Sequence, residues 1–153
     1  MIYLAADSTI SCLPEKIHQC SLPRVVISQS LLDDSGDLVI RDNRQAASLA
    51  VHYLLEKGHR NIAYIGGGTK DWIRQQRLSG FQRVLKQYGM AWREELPPFC
   101  NDYTSSAAVI TRQLLEKNNT ITALLCHSPD VMIGCTPGIQ QVGRTVGAVR
   151  RQH

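Results

Sequence analysis

Five short apolar runs punctuate this chain: IYLAA from Ile2, VVIS from Val25, LVI from Leu38, IAYI from Ile62 and ITALLCH from Ile121. Polar segments with apolar residues at helical spacing separate the later ones. No other feature narrows the fold as much. A strand open to water on one face alternates apolar and polar residues, whereas a strand apolar at consecutive positions needs cover on both faces. Helices between successive strands supply that cover and return the chain for a parallel partner. The pattern predicts an α/β fold, with parallel sheets flanked by helices.

The helices can be placed by their caps. Pro14 opens a short helix through PEKIHQC. Asp42 or Asn43 caps a longer one, in which Ala46, Leu49, Ala50, Tyr53 and Leu54 share a face and Gly58 is the stop. The next runs from about Trp72 to Tyr88, with Phe81, Val84, Leu85 and Tyr88 on one face and Gly89 at its end. A strand is expected in PPFC, after Pro97 and Pro98, and a third long helix over Ser105 to Lys117. Residues 130–142 have helical spacing, but Pro137 sits among them between Gly134 and Gly138. An interior proline removes a helix hydrogen bond and costs about 3 kcal/mol. The last stretch, GRTVGAVRRQH, carries no strong element, and there is no internal repeat or low-complexity segment.

A length of 153 residues suits one ordinary domain or a piece of a larger one. With 43% hydrophobic and 20% charged residues, the chain has the apolar material for a core. Its formal charge of +4 permits an anionic partner without demanding one, because Lys and Arg are spread rather than blocked. No apolar run is long enough to cross a membrane, and MIYLAADST has neither the basic leader nor the apolar length of a signal peptide. Five cysteines, Cys12, Cys20, Cys100, Cys126 and Cys135, make an odd count without CxxC spacing. They predict reduced, mostly buried thiols and a cytoplasmic protein.

Few residues invite chemistry. Gly66, Gly67 and Gly68 follow an apolar strand and could cradle a phosphate on exposed N–H groups, but neither a G-x-G-x-x-G nor a Lys-Ser/Thr pair accompanies them. A strand-to-helix crossover is the simpler reading. Cys126 and His127 are neighbours on a strand and point to opposite faces, so they form no nucleophile–base pair. Cys12, His18 and Cys20 lack zinc spacing. Asp33 and Asp34 lie in a turn that favours aspartate. Arg144, Arg150 and Arg151 could touch nucleic acid, but a frayed tail is the simpler reading, and no helix-turn-helix is visible. The residues therefore assign no catalytic group, metal or cofactor, and the chain is expected not to be an enzyme.

One long stretch carries a resemblance. IRDNRQAASLAVHYLLEKGHRNIAYIGGG, followed by RQQRLSGFQRVLKQYG, resembles the effector-binding core of the lactose-repressor/galactose-repressor family of bacterial transcription regulators. The matching positions are Asp42, Asn43, Ala46, Ala47, Gly58, His59, Arg60, Ile62, Ala63, Gly66, Gly67, Arg77, Gly80 and Phe81. The resemblance covers nearly the whole chain and weakens after Gly147. It implies a periplasmic-binding-protein-like fold of type I, with two α/β lobes. Residues 1–61 would be the remainder of the first lobe, 62–147 part of the second and 148–153 a disordered tail. His59 and Arg60 would then serve the crossover between lobes rather than a ligand.

The resemblance also implies a sugar effector. Arg77 matches the family arginine that reaches sugar hydroxyls, and Tyr103 falls where some members set an aromatic ring against the sugar. Gln45 falls where some carry a polar contact. Ser128 stands where members usually have asparagine, and Pro129 where they have an acidic residue, so this chain departs from the family at the strand end. Family members begin with a DNA-binding headpiece and continue beyond the point where this sequence stops. On that comparison the chain is expected to be an effector-sensing core truncated at both ends, with a homodimer and DNA binding belonging to a longer parent. A free-standing sugar-binding module and a non-functional remnant are the alternatives.

Overall fold

A computed structural model of the chain describes residues 2–4, 19, 21, 23, 25–28, 37–66, 68, 71–90 and 105–147. The helix expected over 14–20 (Gln19 apart), the strand expected after Pro97 and Pro98, and the tail 148–153 lie outside these residues. The chain divides into two compact units, Met1–Asn43 and Arg44–His153.

In the first unit, β1 (Ile2–Leu4), β2 (Val25–Ser28) and β3 (Asp37–Ile40) form a parallel sheet in that order. Ile2 pairs with Val25, and Val25 with Asp37. The expected strands are present, but β2 is not buried at every position. Val26 is fully buried and Ser28 nearly so, whereas Ile27 is 39% exposed. Alternation of this kind means that one face is covered and the other open among the described residues.

The second unit is built on two parallel strands, β4 (Ile62–Ile65) and β5 (Ala123–Cys126), in register from Ile62 opposite Ala123 to Ile65 opposite Cys126. Around them lie α1 (Asn43–Glu56), α2 (Trp72–Gln87), α3 (Ser105–Lys117) and α4 (Pro129–Gln141). Side chains alternate across the sheet. Ala63, Ile65, Leu124 and Cys126 pack with Ala107, Leu114 and Leu115 of α3 and Val131 and Cys135 of α4. Ile62, Tyr64 and Leu125 pack on the other side with Val51 and Leu55 of α1 and Phe81, Val84 and Leu85 of α2. Both faces are covered, which is why these strands are apolar throughout. Each fully buried Val or Phe contributes roughly 1.5–3 kcal/mol.

All of α1 except Asn43 belongs to the second unit. The cause is packing, since Val51 and Leu55 share a core with Tyr64 and Phe81. The buried face of α1 also differs from the expected one. Ala47, Ser48, Val51 and Leu55 are buried, while Leu49 and Tyr53 are 61% and 45% exposed. Two helical stripes coexist in this segment, and the smaller one faces inward because α2 comes very close. A Cβ on Gly80 would lie 2.2 Å from the Arg44 carbonyl oxygen. The Ser48 hydroxyl fits that seam, with Oγ 2.9 Å from the Arg44 carbonyl oxygen and 3.3 Å from that of Gly80. In α2, Phe81, Val84 and Leu85 are buried as expected, but Tyr88 is 52% exposed, its ring edge-on to His52.

Helix ends follow the sequence. Gly58 has φ +88°, and the N–H groups of Gly58 and His59 return to the carbonyls of Leu55 and Leu54. This is the reciprocal pair of bonds that a left-handed glycine permits. Helix α4 continues through Pro137. The proline lies on the exposed side, where water can satisfy the freed Ile133 carbonyl, while Gly138 faces inward. A Cβ there would sit 2.3 Å from the Ala108 carbonyl oxygen, so α3 and α4 meet almost backbone to backbone. Among the described residues no helix is long and apolar enough to cross a membrane.

Candidate functional site

Parallel α/β sheets offer their ligand sites where strands end at their carboxyl termini. In the second unit that edge is formed by Ile65 and Gly66 after β4, and by His127 and Ser128 after β5. The two strand ends are tied together by the His127 N–H, which donates to the Ile65 carbonyl at 2.8 Å.

His127 is the hub. Its side chain is 7% exposed, with Nδ1 2.9 Å from Tyr64 Oη and Nε2 3.1 Å from Asp71 Oδ2. A neutral imidazole satisfies both contacts, with Nε2–H donating to the carboxylate and Nδ1 accepting from the phenol. Burial pushes the His127 pKa below its ordinary value; the Asp71 carboxylate opposes that shift, and the Arg77 and Arg74 guanidinium groups reinforce it. Burial likewise raises the Tyr64 hydroxyl well above its ordinary value. Tyr64 therefore acts here as a neutral donor.

Asp71 has two tasks. Its Oδ1 accepts from the Ile73 N–H at 2.9 Å and caps α2, while Oδ2 faces His127. The cap aims the first turn of α2 at the strand ends, bringing Arg74 and Arg77 to the same place. Arg74 Nε donates to the Gly66 carbonyl at 3.3 Å, and the Arg77 guanidinium donates to the His127 carbonyl. Ser128 caps α4, its Oγ accepting from the Val131 N–H at 3.4 Å. Two cations, one carboxylate, a hydroxyl and a helix N-terminus thus converge on one sheet edge. Such a set suits a ligand rich in hydroxyl or anionic oxygen.

Of the four residues named from the resemblance, Arg77 and Ser128 are brought together at His127: the Arg77 guanidinium donates to the His127 carbonyl, and Ser128 follows His127 in the chain. Gln45 occupies an exposed position in the first turn of α1, next to Arg44, whose guanidinium reaches Gln76 Oε1 at 3.3 Å. Tyr103 lies outside the described residues. Sequence reading missed Asp71, Tyr64 and His127 as a connected group. The available signals were an aspartate just before a helix and a histidine just after an apolar strand.

Other candidates resolve into structure. Cys126 and His127 do face opposite ways, the thiol toward Cys135 and the imidazole toward Tyr64. Gly66 has φ +102°, and a Cβ there would meet Val131 Cγ2 at 2.8 Å, so packing accounts for this glycine. Gly67 lies outside the described residues. His59 Nδ1 is 2.9 Å from Thr122 Oγ1, and Arg60 donates to the Leu55 and His59 carbonyls, which stitches the end of α1 to the start of β5. Arg144 is no frayed end, because its guanidinium donates to the Ile121 carbonyl at 2.7 Å and to that of Asn119. Among the described residues, no group of three or more His, Cys, Asp or Glu could hold a metal ion.

Known proteins resemble this chain in sequence and in fold. The family model described as periplasmic binding proteins and sugar binding domain of LacI family matches residues 2–151. The maltose regulon regulatory protein MalI of Escherichia coli K12 is 30% identical over 147 residues, which is 96% of this chain and 43% of that protein. A sugar-binding transcriptional regulator of the LacI family from Escherichia coli, solved with phosphate, superposes with a TM-score of 0.71 at 28% identity, over 86% of this chain and 48% of that one. The Escherichia coli repressor AscG gives 0.70 at 29% identity, with the same two coverages. The chain thus spans less than half the length of these relatives, whose names describe regulators of transcription.

Proposed function

Because this chain belongs to the family of periplasmic binding proteins and LacI-type sugar-binding domains, we propose that it is the effector-sensing part of a sugar-responsive transcription regulator. The observation that carries the reading is the meeting of Arg77 and Ser128 around His127, at the carboxyl ends of β4 and β5. The guanidinium of Arg77 is a planar fork suited to paired oxygens, either vicinal hydroxyls of a sugar or the oxygens of a sugar phosphate. Ser128 offers a hydroxyl at a helix N-terminus, and Arg74 adds a second positive charge. Gln45 and Tyr103 are further candidate contacts, on the strength of the family resemblance alone.

Sensing would work through coupling. An effector that binds one arrangement of the sheet edge more tightly shifts the regulator's affinity for its operator, and DNA shifts effector affinity by the same factor. Operator binding, homodimerisation and a cytoplasmic setting belong to this proposal, on the precedent of the related regulators. A free-standing sugar-binding module is the alternative, and it would use the same residues.

The test is urea unfolding of the purified chain followed by tryptophan fluorescence, with and without maltose-type disaccharides and hexose phosphates. A ligand at one hundred times its Kd should stabilise by about 2.7 kcal/mol. Arg77→Ala should abolish the shift. No shift with any sugar, or one that survives Arg77→Ala, would overturn the assignment of this edge.

A further inference from the structure

The face of the sheet away from Tyr64 carries a second pair of reactive groups, next in the chain to the proposed effector contacts but on the opposite side of the strand. Cys126 ends β5 and Cys135 lies in the middle of α4, and their sulfurs are 3.8 Å apart. Cys135 is almost fully buried, whereas Cys126 is half-buried, and both line an open groove with Met132, Thr136 and Ile139. We propose that Cys126 and Cys135 are an oxidant-responsive dithiol, which a peroxide converts reversibly into an intramolecular disulfide.

Three features favour a bond over two independent thiols. The sulfurs are already in contact, so closing to the roughly 2.0 Å of a disulfide asks for side-chain rotation and a small approach. The hydrogen bond from Cys126 lowers the Cys135 thiol to about 7 against the opposing effect of burial, which leaves a substantial thiolate fraction near neutral pH. The half-buried sulfur meets the oxidant and the buried one waits behind it, as an attacked and a resolving thiol must be placed.

The chemistry balances. Cys126 first passes the proton it donates to Cys135, and its sulfur, now a thiolate, attacks one peroxide oxygen. The S–O bond forms, the O–O bond breaks, and the departing hydroxide takes the Cys135 proton to become water, leaving Cys135 as the thiolate. The Cys135 thiolate then attacks the Cys126 sulfur; the S–S bond forms, the S–O bond breaks, and a second water leaves. Two thiols lose two electrons and one peroxide gains them. A dithiol reductant reverses the modification.

The bond would fasten α4 to the end of β5 one residue before His127, and so stiffen the support of the edge described above. The inference does not depend on that edge binding a sugar.

The test treats the native chain with hydrogen peroxide at pH 7.5, alkylates the remaining thiols and maps tryptic peptides by mass. Both cysteines fall within one peptide, 118–144. The expected product is this peptide without alkyl groups and two hydrogens lighter than the dithiol, restored to double alkylation by dithiothreitol. A variant with Cys12→Ser, Cys20→Ser and Cys100→Ser should give the same product, which excludes exchange with the other cysteines. In Cys135→Ser, dimedone should trap a sulfenic acid at Cys126. A doubly alkylated peptide after peroxide, or sulfinic acid at Cys126 with Cys135 still alkylated, would overturn the proposal.

Discussion

Nε2 of His127 lies 3.1 Å from Oδ2 of Asp71, so one side-chain contact joins the residue that follows β5 to the residue that caps α2. The contact sits where both parallel strands end. It fixes the first turn of α2, and with it Arg74 and Arg77, against the loop that carries Ser128.

Burial of His127 at that contact makes stability depend on pH. The pKa of His127 is depressed in the folded chain, chiefly by burial, from an unfolded value near 6.5. Below 6.5 the unfolded chain therefore binds more protons than the folded one, and protonation favours unfolding. The contribution is present in full above the unfolded value and is lost as pH falls through the folded one. The urea midpoint should drop between pH 7.5 and pH 5.5, and His127→Gln should remove most of that difference. An equal drop in the variant would assign the pH response to other groups.

Tyr64→Phe removes the phenol that serves His127 Nδ1 and keeps the ring against Phe81, 5.8 Å away between centroids. A buried acceptor left without its donor costs about 1–3 kcal/mol. Denaturant unfolding should show a loss in that range, with far-UV circular dichroism unchanged. A neutral effect would mean that water replaces the hydroxyl.

Gly80→Ala sets two effects against each other. Alanine gains up to about 1 kcal/mol of helix propensity, but its Cβ would stand 2.2 Å from a backbone oxygen of α1 that no rotamer can move. Overpacking of this kind costs about 1–3 kcal/mol, so the variant should be less stable than the parent. A rise in melting temperature would show that α1 and α2 can part cheaply.

Ser128 separates a structural role from a recognition role. Ser128→Ala should cost about 1 kcal/mol through loss of the α4 cap, whereas Ser128→Asn should keep the cap within a few tenths. Under the proposed function, Ser128→Asn should also tighten sugar binding, because an amide adds a donor and an acceptor. Calorimetric titration beside the unfolding curves checks both. Equal destabilisation by Ala and Asn would deny the capping role.

The sequence by itself determined the class of fold, the parallel pairing implied by apolar strands, and the helix stop at Gly58. These follow from local rules: 3.6-residue and two-residue periods, caps, and the left-handed freedom of glycine at Gly58. Its residue pattern also identified the family, and the resemblance singled out Arg77 and Ser128 as candidate contacts. Only the tertiary structure decided which stripe of α1 is buried, because the Ala46–Leu49–Tyr53 and Ala47–Val51–Leu55 stripes are equally helical and the approach of Gly80 selects the second. The tertiary structure alone also assembled Tyr64, Asp71 and His127, and paired Cys126 with Cys135. The first trio gathers residues up to 63 positions apart, and no local period records which distant strand end a side chain will meet.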